Sequence, residues 1–216
     1  MELSSDFGGI GMIASQDRSG WFGASDTAMI MGNWSTKTFR KWWMQKLGLN
    51  NSHFTSKAMN AGTYYEHAIL EAVGAPRMDH QILIPELHLR INLDGDKPAD
   101  GSPGHIFECK TYKAGKPFKV SKAYWMQVQV QIFGKALQEA KIPTAEIVAY
   151  PLGDAEYKNF FLDIDPKKIS HHPIDFDLDF IQAYIYRLEI LGNALESGTM
   201  PLLPKEAITW QSKKAR

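Results

Sequence analysis

The spacing of apolar residues changes twice along this chain, and this limits the folds that it can adopt. Up to Gly74 and Pro76 the apolar residues recur with the period of a helix, whereas from 81 to 111 they alternate as they do in strands. Helical spacing returns after residue 123. Strands gathered between helical segments predict an α/β (α+β) domain with a central mixed β-sheet flanked by helices.

The individual elements are predicted from this periodicity together with capping and turn residues. Helices are predicted at 25–31, 36–47, 56–73, 123–138 and 176–197, and strands at 81–84, 87–94, 105–111, 146–150 and 157–163. A polar hairpin region at 95–104 and a second hairpin around Gly153 and Asp154 connect strands. We expect a single domain over residues 1–216, with an irregular segment at 1–20 and a tail at 200–216.

Charge and cysteine content exclude several classes of protein. Lys and Arg total 24, as do Asp and Glu, so the net charge is zero and the chain cannot coat a polyanion by bulk positive charge. The single cysteine, Cys109, excludes an intramolecular disulfide. No segment approaches the roughly 18 apolar residues of a membrane span. We therefore expect a cytoplasmic protein with no membrane partner, which binds any nucleic acid locally.

A charged residue in the third predicted helix falls where an apolar one is expected. Met59, Gly62, Ile69 and Val73 define the inward stripe of that helix, and helical spacing places Glu66 on the same stripe. A buried carboxylate requires a cation, a metal, strong hydrogen-bond donors or a proton, because an unpaired buried charge is strongly destabilising. The alternative is that Glu66 lies at the edge of the helix and reaches solvent.

Further carboxylates are predicted to converge on the central strands. On the third predicted strand Glu108 and Lys110 point to one face, and Cys109 points to the other. Asp94 ends the preceding predicted strand, so pairing of the two strands would bring it to the same end of the sheet as Glu108. These two carboxylates, with Glu66, make an oxygen-lined site suited to Mg²⁺ or Mn²⁺. The alternative for Glu108 and Lys110 is an ion pair on a strand surface.

Such a site is suited to phosphodiester hydrolysis. A divalent cation activates the attacking water and relieves the negative charge of the phosphate. Lys110, on the same strand face as Glu108, can orient or deprotonate that water and offset the phosphate charge. An Asp followed after a turn by Glu-x-Lys therefore indicates a mechanism, although Glu-x-Lys alone is common.

The segment from 109 to 138 is rich in lysine and contains no acidic residue. Its six lysines are Lys110, Lys113, Lys116, Lys119, Lys122 and Lys135. In a chain that is neutral overall, this segment is typical of a surface that faces phosphate. Tyr112, Tyr124 and Trp125 lie within it and can contact a nucleotide, although aromatic rings pack in cores more often.

Several motifs in one continuous order resemble the phage lambda exonuclease and YqaJ-type viral recombinase nucleases of the PD-(D/E)xK superfamily. They are Gly-Thr-Tyr-Tyr-Glu at 62–66, Asn-Leu-Asp-Gly at 92–95, Phe-Glu-Cys-Lys at 107–110 and Ala-Tyr-Trp-Met-Gln-Val-Gln at 123–129. Upstream, Arg18 and the Ser25 of Gly-Ala-Ser-Asp have the spacing of the family's 5′-phosphate pocket. The resemblance implies a restriction-endonuclease-like core.

The resemblance also implies a role for individual residues. Metal would be bound by Asp94, Glu108 and the main-chain carbonyl of Cys109, and water would be activated by Lys110. Glu66 and Gln127, the first glutamine of the helix motif, would support the water and the substrate. Because the interval from Asp94 to Glu108 is longer than is usual in the family, Asp100 in a second Asp-Gly pair is a reserve metal ligand.

The 5′-phosphate pocket implied by the resemblance contains Arg18, Ser25, Asn92 and Lys116. Asn92 and Lys116 stand where lambda exonuclease has serine and arginine. A lysine still neutralises phosphate, but it lacks the bidentate fork of arginine. Dependence on a 5′-phosphate is therefore a weaker expectation than nuclease activity.

The implied activity is that of a Mg²⁺-dependent exonuclease, with Mn²⁺ as the alternative ion. Such an enzyme enters double-stranded DNA ends and digests one strand 5′→3′, leaving a 3′ overhang for homologous recombination. The resemblance further implies a ring-shaped homotrimer, a single-strand annealing protein as partner, and a phage or prophage protein in the bacterial cytoplasm. The alternatives are an endonuclease or single-strand nuclease of the same superfamily, and a DNA-binding module that has lost catalysis.

Overall fold

A computed structural model describes residues 18–50, 57–160 and 162–204, without the side chains of 57–59. Residues 1–17 of the predicted irregular segment and 205–216 of the predicted tail lie outside this range. None of the helices formed by the described residues has the length and apolar character of a membrane span.

The helices of the described residues surround a central group of strands. In chain order they are α1 (Thr27–Ile30), α2 (Lys37–Lys46), α3 (Lys57–Ala72), α4 (Lys122–Glu139), α5 (Asp154–Lys158) and α6 (Leu178–Glu196). Side-chain caps fix where two of the long helices begin. Ser121 accepts a hydrogen bond from the main-chain N–H of Tyr124 at the start of α4, and Asp177 accepts one from Phe180 at the start of α6.

Five strands form one mixed sheet, and the first four of them overlap the predicted strands at 81–84, 87–94, 105–111 and 146–150. They are β1 (Arg77–Ile84), β2 (Leu89–Lys97), β3 (His105–Lys113), β4 (Thr144–Leu152) and β5 (Ser170–Pro173), and they lie side by side in this order. β3 and β4 are parallel, and the other neighbours are antiparallel. The α/β fold class is therefore confirmed.

A core lies on each face of the sheet. The larger core packs α4 and α6 against the sheet together with the aromatic residues of α2, including Trp42 and Trp43, which are both buried. The smaller core packs Tyr65, Ile69 and Leu70 of α3 against β3 and β4. These cores hold α4 and α3 on opposite sides of the central strand β3.

β2 and β3 pair over a short distance and then separate into a fork. Their ladder joins 95–97 to 105–107. Beyond it the edge of β2 pairs instead with Phe22, whose carbonyl accepts a hydrogen bond from Arg90 N–H at 2.8 Å. The prediction that Asp94 ends its strand was wrong, because β2 continues to Lys97 and the connecting turn covers only 98–104. Asp94 instead lies where the fork opens.

The alternation of side chains along β2 is interrupted at Asp94. Leu93 packs in the core that contains α4, and Asp96 contacts Lys135 of α4 at 2.5 Å. Between them, a Cβ added to Gly95 would lie 2.7 Å from Leu70 of α3, on the opposite face. The interruption lies opposite Asp79 of β1, which has a φ of 53°. Asp94 is thereby turned toward β3 rather than toward either core.

The prediction of a strand at 157–163 was wrong. The segment begins with α5 (Asp154–Lys158), in which the Glu156 carboxylate accepts a hydrogen bond from Gly153 N–H at 2.9 Å. Tyr157 and Phe160 pack at helical spacing against the smaller core. The last strand is β5 (Ser170–Pro173), for which the sequence analysis predicted no element.

Candidate active site

The two carboxylates of the central motif meet at the opening of the fork. The carboxylate of Asp94 accepts a hydrogen bond from the main-chain N–H of Cys109 at 2.8 Å, so that its side chain links the separated strands. Glu108 is fully buried, and its Oε1 forms an ion pair with the ammonium of Lys110, two residues further along the same strand face. The sequence prediction that Asp94, Glu108 and Lys110 lie together agrees with this geometry.

Two glutamines of α4 complete the surroundings of Glu108. Gln127 Nε2 donates to Oε1 of Glu108 at 2.5 Å, and Gln131 Nε2 donates to Oε2 at 2.5 Å. α4 can approach the strands this closely because Gly134 faces β2, where an added Cβ would lie 2.2 Å from Ile91. The sequence analysis missed Gln131, although its spacing of four residues from Gln127 places both on one helix face.

Glu66 borders the buried stripe of α3 rather than belonging to it. The fully buried residues of this stripe are Ala61, Tyr65, Ile69 and Leu70. Gly62, Val73 and Glu66 are half-buried, and the side chain of Met59 lies outside the described residues. Gly62 allows close packing on β3, since an added Cβ would lie 3.3 Å from the Thr111 hydroxyl. Glu66 therefore lies between the two predicted positions: it is outside the fully buried stripe, yet it is buried enough for burial to raise its pKa and close enough to Glu108 to interact with its charge.

We call Glu66, Asp94, Glu108 and Lys110, with Gln127, the acidic centre. Burial and neighbouring charges raise the pKa values of Glu66 and Asp94. Burial first, and then the charges of Glu108 and Asp79, raise the pKa of Glu66 to about 7. Burial and the charges of Glu108 and Glu66 raise the pKa of Asp94 well above its usual range. Burial would lower the pKa of Lys110, but the charges of Glu108 and Asp94 outweigh it and raise that pKa. Lys110 is thus a charged ammonium that only partly offsets three carboxyl groups.

The residues of the acidic centre fit a divalent cation. Asp94 and Glu108 offer the hard oxygen ligands that Mg²⁺ and Mn²⁺ prefer. The Lys110 ammonium already places a positive charge against Glu108, and Asp94 is a buried carboxyl whose pKa is raised by burial first and then by the charges of Glu108 and Glu66. Since the ammonium and Gln127 share Oε1 of Glu108, one of them must move aside for a cation to bind this oxygen.

A cavity of about 210 Å³ opens beside the acidic centre. Its lining includes the predicted residues Arg18, Ser25, Asn92, Asp94 and Gln127. It also includes Arg90 and Lys46, which the sequence analysis missed. Lys46 is distant from the motifs in sequence, whereas Arg90 lies two residues before Asn92 on β2. The two cations share the cavity because the segment around Phe22 lies along the edge of β2.

Lys46 is held at the cavity by a buried ion pair. Its ammonium lies 2.6 Å from Asp26, whose other oxygen accepts from the Trp42 indole N–H at 2.9 Å. Burial lowers the pKa of Lys46, although the Asp26 charge opposes this. Asp26 also accepts from Gly23 N–H at 2.8 Å and so fixes the turn that carries Ser25.

Other predicted positions lie away from this centre. Lys116 is exposed in the connection after β3 and is not part of the cavity lining. Asp100 is exposed in the turn after β2, where it accepts a hydrogen bond from the Ser102 hydroxyl at 2.9 Å. Lys135 was predicted to face phosphate, but it is fully buried, because its ammonium pairs with Asp96 at 2.5 Å and with Glu139 at 2.7 Å.

Cys109 turns its thiol away from the acidic centre. The side chain is buried in the smaller core, on the face opposite Glu108. Burial and the charge of Asp94 raise the pKa of this thiol well above its usual value, which is unsuited to a nucleophile. Cys109 contacts the acidic centre through its main chain, whose N–H donates a hydrogen bond to the Asp94 carboxylate.

A further group of potential ligands borders the centre on the α3 side. Among the described residues, Glu66, His67 and Asp79 place ligand atoms within 4.8 Å of one another. His67 and Asp79 are exposed and pair with each other at 2.8 Å. Glu66 is the member of this group whose charge contributes to the raised pKa of Asp94.

The comparisons with known proteins concern the fold. Neither a family model nor a curated protein matches the chain. An alkaline exonuclease from Laribacter hongkongensis, LHK-Exo, is 18% identical, with a TM-score of 0.59 over 84% of this chain and 90% of that one. Its complex with dAMP gives a TM-score of 0.60 at the same identity and coverage.

A second exonuclease has the same architecture. A phage-related exonuclease from Haemophilus somnus 129PT is 15% identical, with a TM-score of 0.56 over 82% of this chain and 94% of that one. The chain therefore has the fold of these exonucleases, which is consistent with the lambda exonuclease and YqaJ-type family that its motifs resemble.

Proposed function

We propose that the chain is a metal-dependent DNA exonuclease that digests one strand of a linear duplex 5′→3′ from a phosphorylated end. The product is a duplex with a 3′ overhang, which serves homologous recombination by single-strand annealing. One observation carries the proposal: Asp94 and Gln127 of the acidic centre line the same cavity as Arg18, Ser25 and Asn92. A centre suited to hydrolysis thus adjoins a basic cavity suited to a terminal phosphate.

The structural neighbours support the same class of activity. Both are exonucleases that share the fold over more than four fifths of this chain. LHK-Exo has been solved with dAMP, which is a deoxynucleoside monophosphate, the class of product that an exonuclease releases. DNA is accordingly the substrate that we propose for this chain.

The residues of the acidic centre divide the work of hydrolysis. A divalent cation held by Asp94, Glu108 and the main-chain carbonyl of Cys109 would supply Lewis acidity at the scissile phosphate. We propose Mg²⁺, with Mn²⁺ as the alternative. The Lys110 ammonium offsets the phosphate charge and donates hydrogen bonds to the attacking water. Glu66, at the edge of the fork, positions that water.

The cavity residues bind the end of the strand. Arg18 and Ser25 donate to the terminal phosphate, and Asn92 places its amide at the same cavity. Arg90 supplies a second guanidinium, whose planar fork suits phosphate better than an ammonium does. Lys116 is assigned to an adjacent phosphate of the same strand, because it is exposed in the connection that follows β3.

The assembly and the setting of the proposed enzyme rest on the sequence resemblance. We propose a homotrimer that encloses DNA, a single-strand annealing protein as its partner, and a phage or prophage origin in a bacterial cytoplasm. The proposed trimer predicts a mass near three chains in light scattering at low protein concentration.

The decisive experiment uses a linear duplex with a 5′-phosphate at one end and a 5′-hydroxyl at the other. Wild-type protein is incubated with it in Mg²⁺ or EDTA, beside a closed circular duplex and a Lys110→Ala variant. We expect Mg²⁺-dependent digestion that starts at the phosphorylated end, spares the circle and is lost in the variant. Cleavage of the circle would indicate an endonuclease instead, and binding without cleavage would indicate a DNA-binding module.

A matched pair of variants tests the phosphate assignment. Arg90→Ala removes a cavity cation, whereas Lys116→Ala removes an exposed one. Because a hydrogen bond to a charged group contributes about 1.5–3 kcal/mol, we expect Arg90→Ala to reduce the preference for phosphorylated ends roughly tenfold or more. Lys116→Ala should weaken binding to both ends equally. The reverse result would return Lys116 to the terminal pocket.

A further inference from the structure

A polar stripe on α4 runs through the core beside the acidic centre. Gln127, Gln131, Lys135 and Glu139 recur every four residues and face β2 and β3. Gln131 and Lys135 are fully buried. The ammonium of Lys135 is paired with Asp96 and Glu139, which explains how a cation can be buried there, whereas Gln131 is a neutral amide whose burial requires another reason.

The contacts of Gln131 fix its amide in one orientation. Its Nε2 donates to Oε2 of Glu108 at 2.5 Å and to the main-chain carbonyl of Asn92 at 3.2 Å. Both partners are acceptors, so the amide cannot turn its own oxygen toward them. The Oε1 of Gln131 is buried and has no hydrogen-bond partner among the described residues.

Because this oxygen has no donor, stabilisation of the fold alone does not explain why a glutamine is buried at position 131. A buried acceptor without a donor is destabilising, and an apolar side chain of the same shape would avoid that loss. An apolar side chain cannot, however, donate hydrogen bonds to both Glu108 and the main chain of β2. Gln131 donates both bonds within the fork, beyond the last ladder pair between Gly95 and Phe107.

The two oxygens of Glu108 face different surroundings. Oε1 meets Lys110 and Gln127, and Gln127 lines the cavity together with Asp94. Oε2 meets Gln131, which is fully buried and is not part of the cavity lining. The terminal torsion of a glutamate is broad, so the Gln131 donor on Oε2 holds the carboxylate in one rotation even when Lys110 or Gln127 moves away from Oε1 to admit a cation.

We propose that Gln131 is a positioning residue that fixes the rotation of the Glu108 carboxylate and so presents its Oε1 to a divalent cation. The inference rests on the proposed function, because it assigns to Gln131 a role in the metal site of that nuclease. It adds to the site a residue that itself touches neither metal nor substrate.

The test compares Gln131→Met with a matched control on the same helix. Gln129 is also fully buried, but its amide binds the Asp175 carbonyl at 2.7 Å and the Asp177 N–H at 2.8 Å, away from Glu108. Mg²⁺ affinity is measured by calorimetry without DNA. Since loss of a residue that orients a metal ligand costs about 10–100-fold in affinity, we expect that weakening for Gln131→Met and none for Gln129→Met. Equal affinities in the two variants would overturn the proposal.

A measurement on the wild-type protein decides the question if Gln131→Met does not fold. Side-chain amide resonances of ¹⁵N-glutamine-labelled protein are followed by NMR while Mg²⁺ is added. The resonances of Gln127 and Gln131 should shift together, and that of Gln129 should not. A Gln131 resonance that stays unchanged while the main-chain signals of Asp94 and Glu108 shift would overturn the proposal.

Failure of the proposed function gives a different result. If wild-type protein binds no Mg²⁺ and cuts no DNA, none of these resonances shifts, and both the nuclease and the positioning role are lost. If wild-type protein binds Mg²⁺ and digests DNA but Gln131→Met does so equally well, only the positioning role is lost.

Discussion

Asp94 and Asp96 lie two residues apart on β2, yet their surroundings give them opposite properties. Asp96 is fully buried and contacts three basic side chains, with Arg77 and Lys135 both at 2.5 Å and His80 at 3.5 Å. Burial would raise its pKa, but the hydrogen bonds from Arg77 and Lys135 outweigh burial and lower it. Asp96 is therefore a satisfied charge.

Asp94 faces the reverse situation. Its neighbours include two further carboxylates, and burial with their charges raises its pKa well above the usual range. One main-chain N–H and one ammonium oppose this, and they do not outweigh it. One strand therefore carries both a carboxylate that stabilises the fold and, two residues away, a carboxylate whose repulsion by its neighbours a bound cation would relieve.

The largest effect is expected from Asp94→Asn on activity. We expect kcat to fall by about 10³-fold or more, equivalent to about 4 kcal/mol of transition-state stabilisation, because a proposed metal ligand is lost. Stability in EDTA should not fall, since the substitution removes like-charge repulsion. Asp100→Asn, in the exposed turn, is the control and should leave kcat unchanged in the digestion assay. Loss of activity in Asp100→Asn alone would move the metal ligand to that residue.

Asp96→Asn should have the opposite outcome. Removing one partner of a buried ion pair costs about 3–5 kcal/mol, because the charges of Arg77 and Lys135 lose their counter-charge. Urea unfolding should show this loss, while the kcat of the folded fraction stays within a few-fold of wild type. A destabilisation below about 1 kcal/mol would show that Asp96 is not the charge that holds this network.

Mg²⁺ should change the free energy of unfolding of the Asp94→Asn and Asp96→Asn variants by different amounts. At one hundred times its dissociation constant a ligand stabilises the folded state by about 2.7 kcal/mol. We expect this increment for the wild-type protein and for Asp96→Asn, but not for Asp94→Asn, when unfolding in Mg²⁺ is compared with unfolding in EDTA. An equal increment in Asp94→Asn would remove that residue from the cation site.

The smallest effect concerns pH. The pKa of Glu66 is raised from 4.5 to about 7 in the folded protein, so the folded state binds more protons than the unfolded state between these values. In EDTA this contribution to stability is therefore present at low pH and is lost as pH rises from about 4.5 to about 7. Glu66→Gln should remove it, and Glu71→Gln, exposed on the same helix, should not. If the free energy of unfolding in urea depends on pH equally in wild type and in Glu66→Gln, the pKa of Glu66 is not raised.

Much of the fold could be predicted from local sequence patterns. The change from helical to alternating spacing predicted the long helices and the central strands, because burial of one face imposes a period on the chain. The segment at 157–163 could not be assigned in this way, since a short apolar run is compatible with either structure. There the Glu156 cap and packing against the smaller core favour a helix.

The acidic centre was predicted from motifs, and its supporting residues were not. Strand alternation placed Glu108 and Lys110 on one face, and the structure agrees. Gln131 had only a helical spacing to reveal it, Arg90 had only the strand alternation that it shares with Asn92 and Asp94, and Lys46 had no local signal. Arg90 and Lys46 share the cavity because the segment around Phe22 lies along the edge of β2. That contact joins residues that are distant in sequence.

The sequence by itself determined the long helices and the four strands from β1 to β4, together with the residue types of the acidic centre, because periodicity and motif spacing are local properties. Only the tertiary structure decided which carboxylate is satisfied and which is crowded. Asp94 and Asp96 look alike in sequence, and Lys110 and Lys135 looked like members of one basic strip. The fork between β2 and β3 and the close packing of α4 separate them, because the free energy of a buried charge depends on the groups that surround it in space.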